Sequence, residues 1–246
     1  MRAFINQDQF GEWVNTSCFA AADGFRQMGW EIVPLPPATT PPTDDPADVV
    51  VGHIDQVEDA LRALGRPVPP ALDYPNELQS FLGRRIWQST INAVAADPAQ
   101  WPVFVKPMLA RKKFTGVLVR HFRDLMGCGD QAENTPVWCA EPVQFVAEWR
   151  CFVRYGRVLA AQPYRGDWRA HFDPRVVEAA VAAYTSAPCA YALDIGLTAT
   201  GATSLIEVNE GYAVGSYGLP PLQYAKFLSA RWAELTDTAD ACDFKR

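Results

Sequence analysis

Proline placement limits this chain more than any other feature. Proline has no backbone N–H and a fixed φ, so it is kept out of helix interiors and central strands. Ten of the 20 prolines precede Asn76, and six of those lie within residues 34–46. That stretch is poor in apolar residues and is predicted to be irregular. A second proline-rich connector covers residues 65–75 and is the predicted boundary. Residues 1–75 are therefore expected to form a small α/β unit, and residues 76–246 a larger module. Between the connectors, residues 3–5, 30–35 and 49–51 read as strands. Ser17 is the predicted cap of a helix in which Phe19, Ala22, Phe25 and Met28 recur at helical spacing, closed by Gly29. A second helix is expected to run to about Leu64.

Composition removes several classes of function. A length of 246 residues suits one large domain or two small ones, and 49% hydrophobic residues suffice for a core. The 28 acidic and 22 basic residues give a formal net charge of −6. Nucleic-acid binding usually leaves a basic footprint, so that partner is not expected. No apolar run approaches the ~18 residues that cross a bilayer, and M-R-A-F-I-N-Q-D-Q is no signal peptide. No membrane partner is expected, and a cytoplasmic location is predicted. The six cysteines never form C-x-x-C, which predicts reduced, mostly buried thiols. The three histidines lie far apart, so a His/Cys metal site is not expected.

Beyond the second connector, Asn76 is the predicted cap of a long helix. Leu78, Phe81 and Leu82 share a face, Trp87, Ile91 and Val94 follow, and Asp97-Pro98 stops it. Strands are expected at 103–105, 117–120 and 137–139. A hairpin turns at Gly156, and Asp173-Pro174 starts a helix. Strands at 190–195 and 204–208 precede a last helix from about Pro220. This is an α+β pattern, antiparallel strands with helices on one side.

Four segments carry chemistry. V-F-V-K-P places Lys106 where a strand ends, its ammonium able to meet an anion as a point charge. A-R-K-K-F-T-G adds three adjacent cations, including Lys113, beside Gly116; it reads as an anion-binding loop or as a solvated basic turn. L-I-E-V-N puts Glu207 and Asn209 two apart on a strand, and so on one face. If the strand carrying Asp194 pairs beside it, three hard oxygen groups converge, a set suited to Mg²⁺. The alternative is a glutamate salt-bridged to a nearby arginine. E-P-V-Q-F-V-A-E-W-R carries Glu141, Glu148 and Arg150, and the return strand leads to Arg165. Arginines near a phosphate-binding lysine suit stabilisation of a phosphoryl-transfer transition state.

The order of these segments resembles the ATP-grasp family over roughly residues 79–232. E-W-R-C-F-V and I-E-V-N-E-G-Y most resemble its R2K clade. The resemblance implies an ATP-grasp module of two lobes with antiparallel sheets. Residues 76–143 would be the nucleotide lobe and residues 144–246 the metal and catalytic lobe, behind a small α/β domain. It implies ATP and Mg²⁺ as cofactors. Lys106 and Lys113 would contact the phosphates, and the backbone of Glu141, Pro142 and Val143 would read the adenine edge. Glu148 would bind the ribose hydroxyls. Arg84 or Arg85, in L-G-R-R-I-W, would replace a lysine that the family often carries upstream. Asp194, Glu207 and Asn209 would hold Mg²⁺. Arg150, Arg165 and Lys113 would act on the transferred phosphoryl group.

The implied activity is an ADP-forming ligase that joins a carboxylate to an amine or thiol through an acyl phosphate. The carboxylate and acceptor are unidentified: small molecule, peptide or protein terminus. A small-molecule kinase and a non-catalytic nucleotide-binding module remain alternatives. There is no K-x-D-G run, which argues against a nucleotidyl-transferring ligase. The acceptor pocket is expected near Tyr212, Tyr217 and the N-terminal unit.

Overall fold

Ala3-Phe4-Ile5 and Val49-Val50-Val51 are short, wholly apolar runs, which suits strands buried on both faces. They lie in β1 (Arg2–Asn6) and β3 (Val49–Val51), and with β2 (Glu31–Leu35) make a parallel sheet ordered β2-β1-β3. The computed structural model describes residues 1–108, 114–129 and 132–243. α1 (Thr16–Gln27) joins β1 to β2, and α2 (Ile54–Ala63) follows β3. The cap of α1 is Asn15, whose Oδ1 accepts from the Cys18 N–H at 2.9 Å, and not the expected Ser17. Ser17 instead accepts from the backbone of Ser216. Phe19, expected on the apolar face, points outward, 58% exposed, while Cys18, Ala21, Ala22 and Phe25 face the core.

The single helix expected over residues 76–97 is broken in two places. Asn76–Phe81 is a 3₁₀ turn, β4 (Ile86–Thr90) follows, and only α3 (Ile91–Ala96) is α-helical. Gly83 stands at φ +63, which ends the turn and leaves no room for a side chain beside Ser204. Ile86-Trp87-Gln88-Ser89-Thr90 is β-branched and aromatic enough to pair as a strand. Thr90 then caps α3.

β4 joins β5 (Val103–Pro107), β6 (Val117–Val119) and β7 (Pro136–Ala140) in an antiparallel sheet ordered β4-β7-β5-β6. β8 (Phe145–Arg154), β9 (Arg157–Gly166), β10 (Ala190–Thr198) and β11 (Thr203–Glu210) form a second antiparallel sheet, ordered β11-β10-β8-β9. The β8–β9 hairpin is longer than expected and turns through Tyr155 and Gly156, both at positive φ. α4 (Pro174–Ala183) starts at its Asp173 cap, and α5 (Pro221–Thr236) ends the fold.

Three apolar cores hold these layers. One face of the β8–β11 sheet packs on Tyr74, Leu78, Leu82 and α4. Phe152, Ala190 and Ala192 of the opposite face join a core with Phe227 and Trp232 of α5 and with Phe4, Phe25 and Leu61 from the first 64 residues. The β4–β7 sheet has a smaller core around Val105, Val119 and Val137. The cysteines are free thiols, mostly buried, as expected. Among the described residues no helix is long and apolar enough to cross a membrane.

The contact of α1 with α5 leaves no space at Gly24, where a Cβ would lie 2.0 Å from the Pro221 carbonyl oxygen. Gly24→Ala should therefore cost about 1–3 kcal/mol by overpacking, although alanine favours helix. Urea denaturation of the two proteins measures the difference.

Candidate functional site

Strand register builds the site. Arg150 of β8 lies opposite Asp194 of β10, and Asp194 lies opposite Glu207 of β11. Ala192, Phe152 and Glu148 continue the same face along β10 and β8. In β11 strict alternation would put Leu205, Glu207 and Asn209 on one face. The structure avoids this with a bulge at Ile206, which has no partner between the pairs Leu205–Ile195 and Glu207–Asp194. Leu205 and Val208 therefore both enter the core beneath, while Glu207 and Asn209 face Asp194. The bulge leaves two carbonyls outside the ladder, and Arg84 donates to both, at 2.9 Å to Leu205 and 2.9 Å to Ile206. A second bulge, at Tyr164 in β9, lies directly beside Glu148.

The three expected oxygen groups do converge. Asn209 Nδ2 donates to Asp194 Oδ2 at 3.1 Å and to Glu207 Oε1 at 3.3 Å. Asp194 is 3% exposed and accepts both arms of Arg150, Nε and Nη2, each at 2.7 Å. Burial raises the Asp194 carboxyl above its ordinary value of 3.8, against the pull of Arg150. Glu210 is withdrawn from the group by a two-armed contact from Arg231, at 2.8 and 3.0 Å.

Lys106 arrives from the other sheet. Its Nζ donates to Glu207 Oε2 at 2.7 Å and to Asp73 Oδ1 at 2.6 Å, and lies 4.8 Å from the Tyr74 ring centre. Burial alone would lower the Lys106 ammonium; the carboxylate charges of Glu207 and Asp73 outweigh it and hold it above its usual value. Asp73 is a residue that the sequence motifs do not mark, because it sits in the proline-rich connector. Lys106, Asp73, Glu207, Asn209, Asp194 and Glu148 all line one cavity of about 360 Å³. A neighbouring cavity of about 480 Å³ is lined by Arg150, Tyr217, Asn15, Gly52 and His53. Asn209, Glu210 and Tyr212 line both. Tyr212 and Tyr217 thus stand with the N-terminal unit, where the acceptor pocket was expected.

Other expected residues lie elsewhere. Arg84 lines the first cavity, whereas Arg85 is 69% exposed, stacked on Trp87 at 4.4 Å. Gly83 sets this parity, since it turns the chain one residue before the pair. Glu141, Pro142 and Val143 leave β7 at its end and do not line either cavity; Glu141 accepts from the Arg85 N–H at 3.0 Å. Arg165 is largely exposed and donates to Glu148 at 2.5 Å. Lys113 lies outside the described residues.

Among the described residues no cluster of three or more His, Cys, Asp or Glu is arranged for a metal. The set present is two carboxylates and an amide, and its chemistry fits a hard divalent cation. Asn209 now donates to both acids, and the same amide offers an oxygen when turned over. Arg150 and Lys106 supply the positive charge that these carboxylates require.

A family model described as ATP-grasp domain, R2K clade family 2, matches residues 81–227. A comparison with curated protein sequences gives no match. Among solved structures, the chain resembles a RimK domain ATP-grasp protein from Sphaerobacter thermophilus. The TM-score is 0.62 at 16% identity, covering 93% of this chain and 99% of that one. It resembles the D-cycloserine synthetase DcsG with a TM-score of 0.61 at 15% identity, over 94% and 100%. It also resembles D-alanine–D-alanine ligase from Bacillus anthracis complexed with ATP, with a TM-score of 0.53 at 16% identity, over 96% and 96%. At these identities the likeness is one of fold.

The Arg150–Asp194 pair has a measurable pH signature. Arg150→Met strips a buried carboxylate of its partner and should cost about 3–5 kcal/mol at pH 8. The variant's Asp194 pKa rises further, so the folded state binds the proton more tightly than the unfolded state. Stability is then lost as pH rises through that window and partly regained at pH 5. Urea titrations at the two pH values should show the smaller deficit at pH 5; equal deficits would count against this account.

Proposed function

The chain belongs to the R2K clade of ATP-grasp domains, and from that premise we propose an ATP-dependent ligase that joins a carboxylate to an amine through an acyl phosphate. The observation that carries this reading is the pairing of two cavities across Asn209. One holds Lys106 with the acids Asp194 and Glu207; the other is lined by Arg150 and the N-terminal unit.

In this reading the first cavity takes the nucleotide. Lys106 neutralises its phosphates, and Glu148 accepts hydrogen bonds from the ribose. Glu207, Asn209 and Asp194 would hold Mg²⁺, which when bound offsets charge on the β- and γ-phosphates. Arg84 holds the strand of these ligands in register. The γ-phosphoryl group passes to a substrate carboxylate in the second cavity, giving ADP and an acyl phosphate. An amine then attacks the acyl carbon, and phosphate leaves with the electrons of the C–O bond. Arg150 reaches Asp194 on one side and lines the second cavity on the other, which suits it to the charge of the acyl phosphate. Residues 1–75 act as the small domain that walls the acceptor side. Lys113 and Arg165 would join the phosphates. The acceptor is a small molecule or a peptide or protein terminus.

The test is isotopic. With a carboxylate and amine that support ADP release, ¹⁸O in the carboxylate should appear in the released phosphate. Product formation without that transfer would sink the acyl-phosphate route, and a stable phosphorylated product needing no amine would make the protein a kinase. Glu207→Gln should lower turnover at least a hundredfold, as losses of transition-state charge stabilisation of about 3 kcal/mol do.

A further inference from the structure

Asp73 stands in the proline-rich connector at φ +42, a left-handed conformation that a side-chain-bearing residue adopts at a cost. Two contacts hold it there. Its carbonyl accepts from the Val208 N–H at 2.9 Å, in an isolated antiparallel bridge, which fixes its backbone one residue from Glu207. Its carboxylate is then divided between two donors. Oδ2 accepts from Trp138 Nε1 at 3.0 Å, and Oδ1 accepts from Lys106 Nζ at 2.6 Å. Trp138 is the register partner of Lys106 on β7, and its ring meets Tyr74 edge-on at 5.0 Å. The carboxylate is therefore fixed at its far oxygen by an indole that moves with the lysine's own sheet.

The arrangement gives one ammonium two carboxylates, one fixed and one wanted elsewhere. Side chains of Lys106, Asp73 and Glu207 are all at most 20% exposed. A buried ion whose partner is removed costs several kcal/mol. A lysine held by Glu207 alone would resist giving that oxygen up. A lysine also held by Asp73 keeps a carboxylate after Glu207 turns to another cation. We propose that Asp73 is a positioning residue for Lys106, holding the ammonium at the nucleotide cavity so that a divalent cation can take Glu207. This rests on the ATP and Mg²⁺ reading above. It adds a residue outside the segment that the family model matches.

The experiment is binding, not turnover. AMP-PNP is titrated calorimetrically into the full chain at a series of Mg²⁺ concentrations, for the native protein, Asp73→Asn and Trp138→Phe. Asparagine keeps an oxygen for Trp138 and the backbone bridge but removes the charge. Phenylalanine keeps the ring against Tyr74 and every charge, and removes only the N–H that steadies Asp73. Asp73→Asn should raise the half-saturating Mg²⁺ concentration about five- to tenfold, and Trp138→Phe about threefold in the same direction. AMP-PNP affinity at saturating Mg²⁺ should change less than about threefold in both.

An unchanged Mg²⁺ midpoint in Asp73→Asn overturns the proposal. So does an equal loss of affinity at every Mg²⁺ concentration, which would make Asp73 a general structural support. A shift in Asp73→Asn with none in Trp138→Phe overturns it too, because charge alone would then be responsible. Should Asp73→Asn fail to fold, Trp138→Phe decides. Native protein that binds no AMP-PNP at any Mg²⁺ concentration instead removes the ATP reading itself, a result distinct from binding that ignores Asp73.

Discussion

The bulge at Ile206 is the constraint on which the site depends. Without the extra residue, Leu205 and Glu207 would point the same way. Either a carboxylate would enter the apolar layer around Leu78 and Leu193, or a leucine would leave it. Burying an unpaired carboxylate costs several kcal/mol even after relaxation. A bulge avoids that cost but strands two carbonyls, and the half-buried guanidinium of Arg84 takes both. The bulge sets which way the last acidic strand faces, and one arginine, just after Gly83, satisfies the backbone it leaves open.

Charge balance follows from this geometry. Four acids near the two cavities meet cations drawn from different parts of the chain, and one of those cations, Lys106, is shared with Asp73. Asp194 has Arg150 from the neighbouring strand, Glu210 has Arg231 from α5, Glu148 has Arg165 from β9, and Glu207 has Lys106 from the other sheet. Pairing at such sequence distances makes the acids tolerable only in the assembled fold. The pairs differ in how easily they part. Arg150 grips both oxygens of Asp194 from an adjacent strand, whereas Lys106 touches a single oxygen of Glu207 from a separate sheet.

Much of this was legible in the residues. The spacing of Glu207 and Asn209 predicts their shared face, and the strand character of 190–195 brings Asp194 beside them on the condition that the two strands pair, as they do. V-F-V-K-P predicts a lysine at a strand end. What was illegible depends on backbone events without a local signature. The bulge at Ile206 is one. The choice between Arg84 and Arg85 is another, since it turns on the φ of a single glycine. Leu78, Phe81 and Leu82 mimic a helical face, yet the run 86–90 finds a pairing partner in β7, a long-range gain that no local pattern contains. Asp73 escapes notice because an aspartate in a proline-rich stretch reads as linker until the chain brings Trp138 and Lys106 to it.

The core shared by Phe4, Phe25 and Trp232 also has a temporal side. A ribosome makes β1 and α1 well before α5. At ~5–20 residues per second, about ten to forty seconds separate the apolar faces of the first elements from the helix that covers them. Synthesis and burial therefore run in opposite orders. Through that interval the parallel sheet can be paired but not sealed, so its apolar face stays open to chaperones and proteases until α5 arrives.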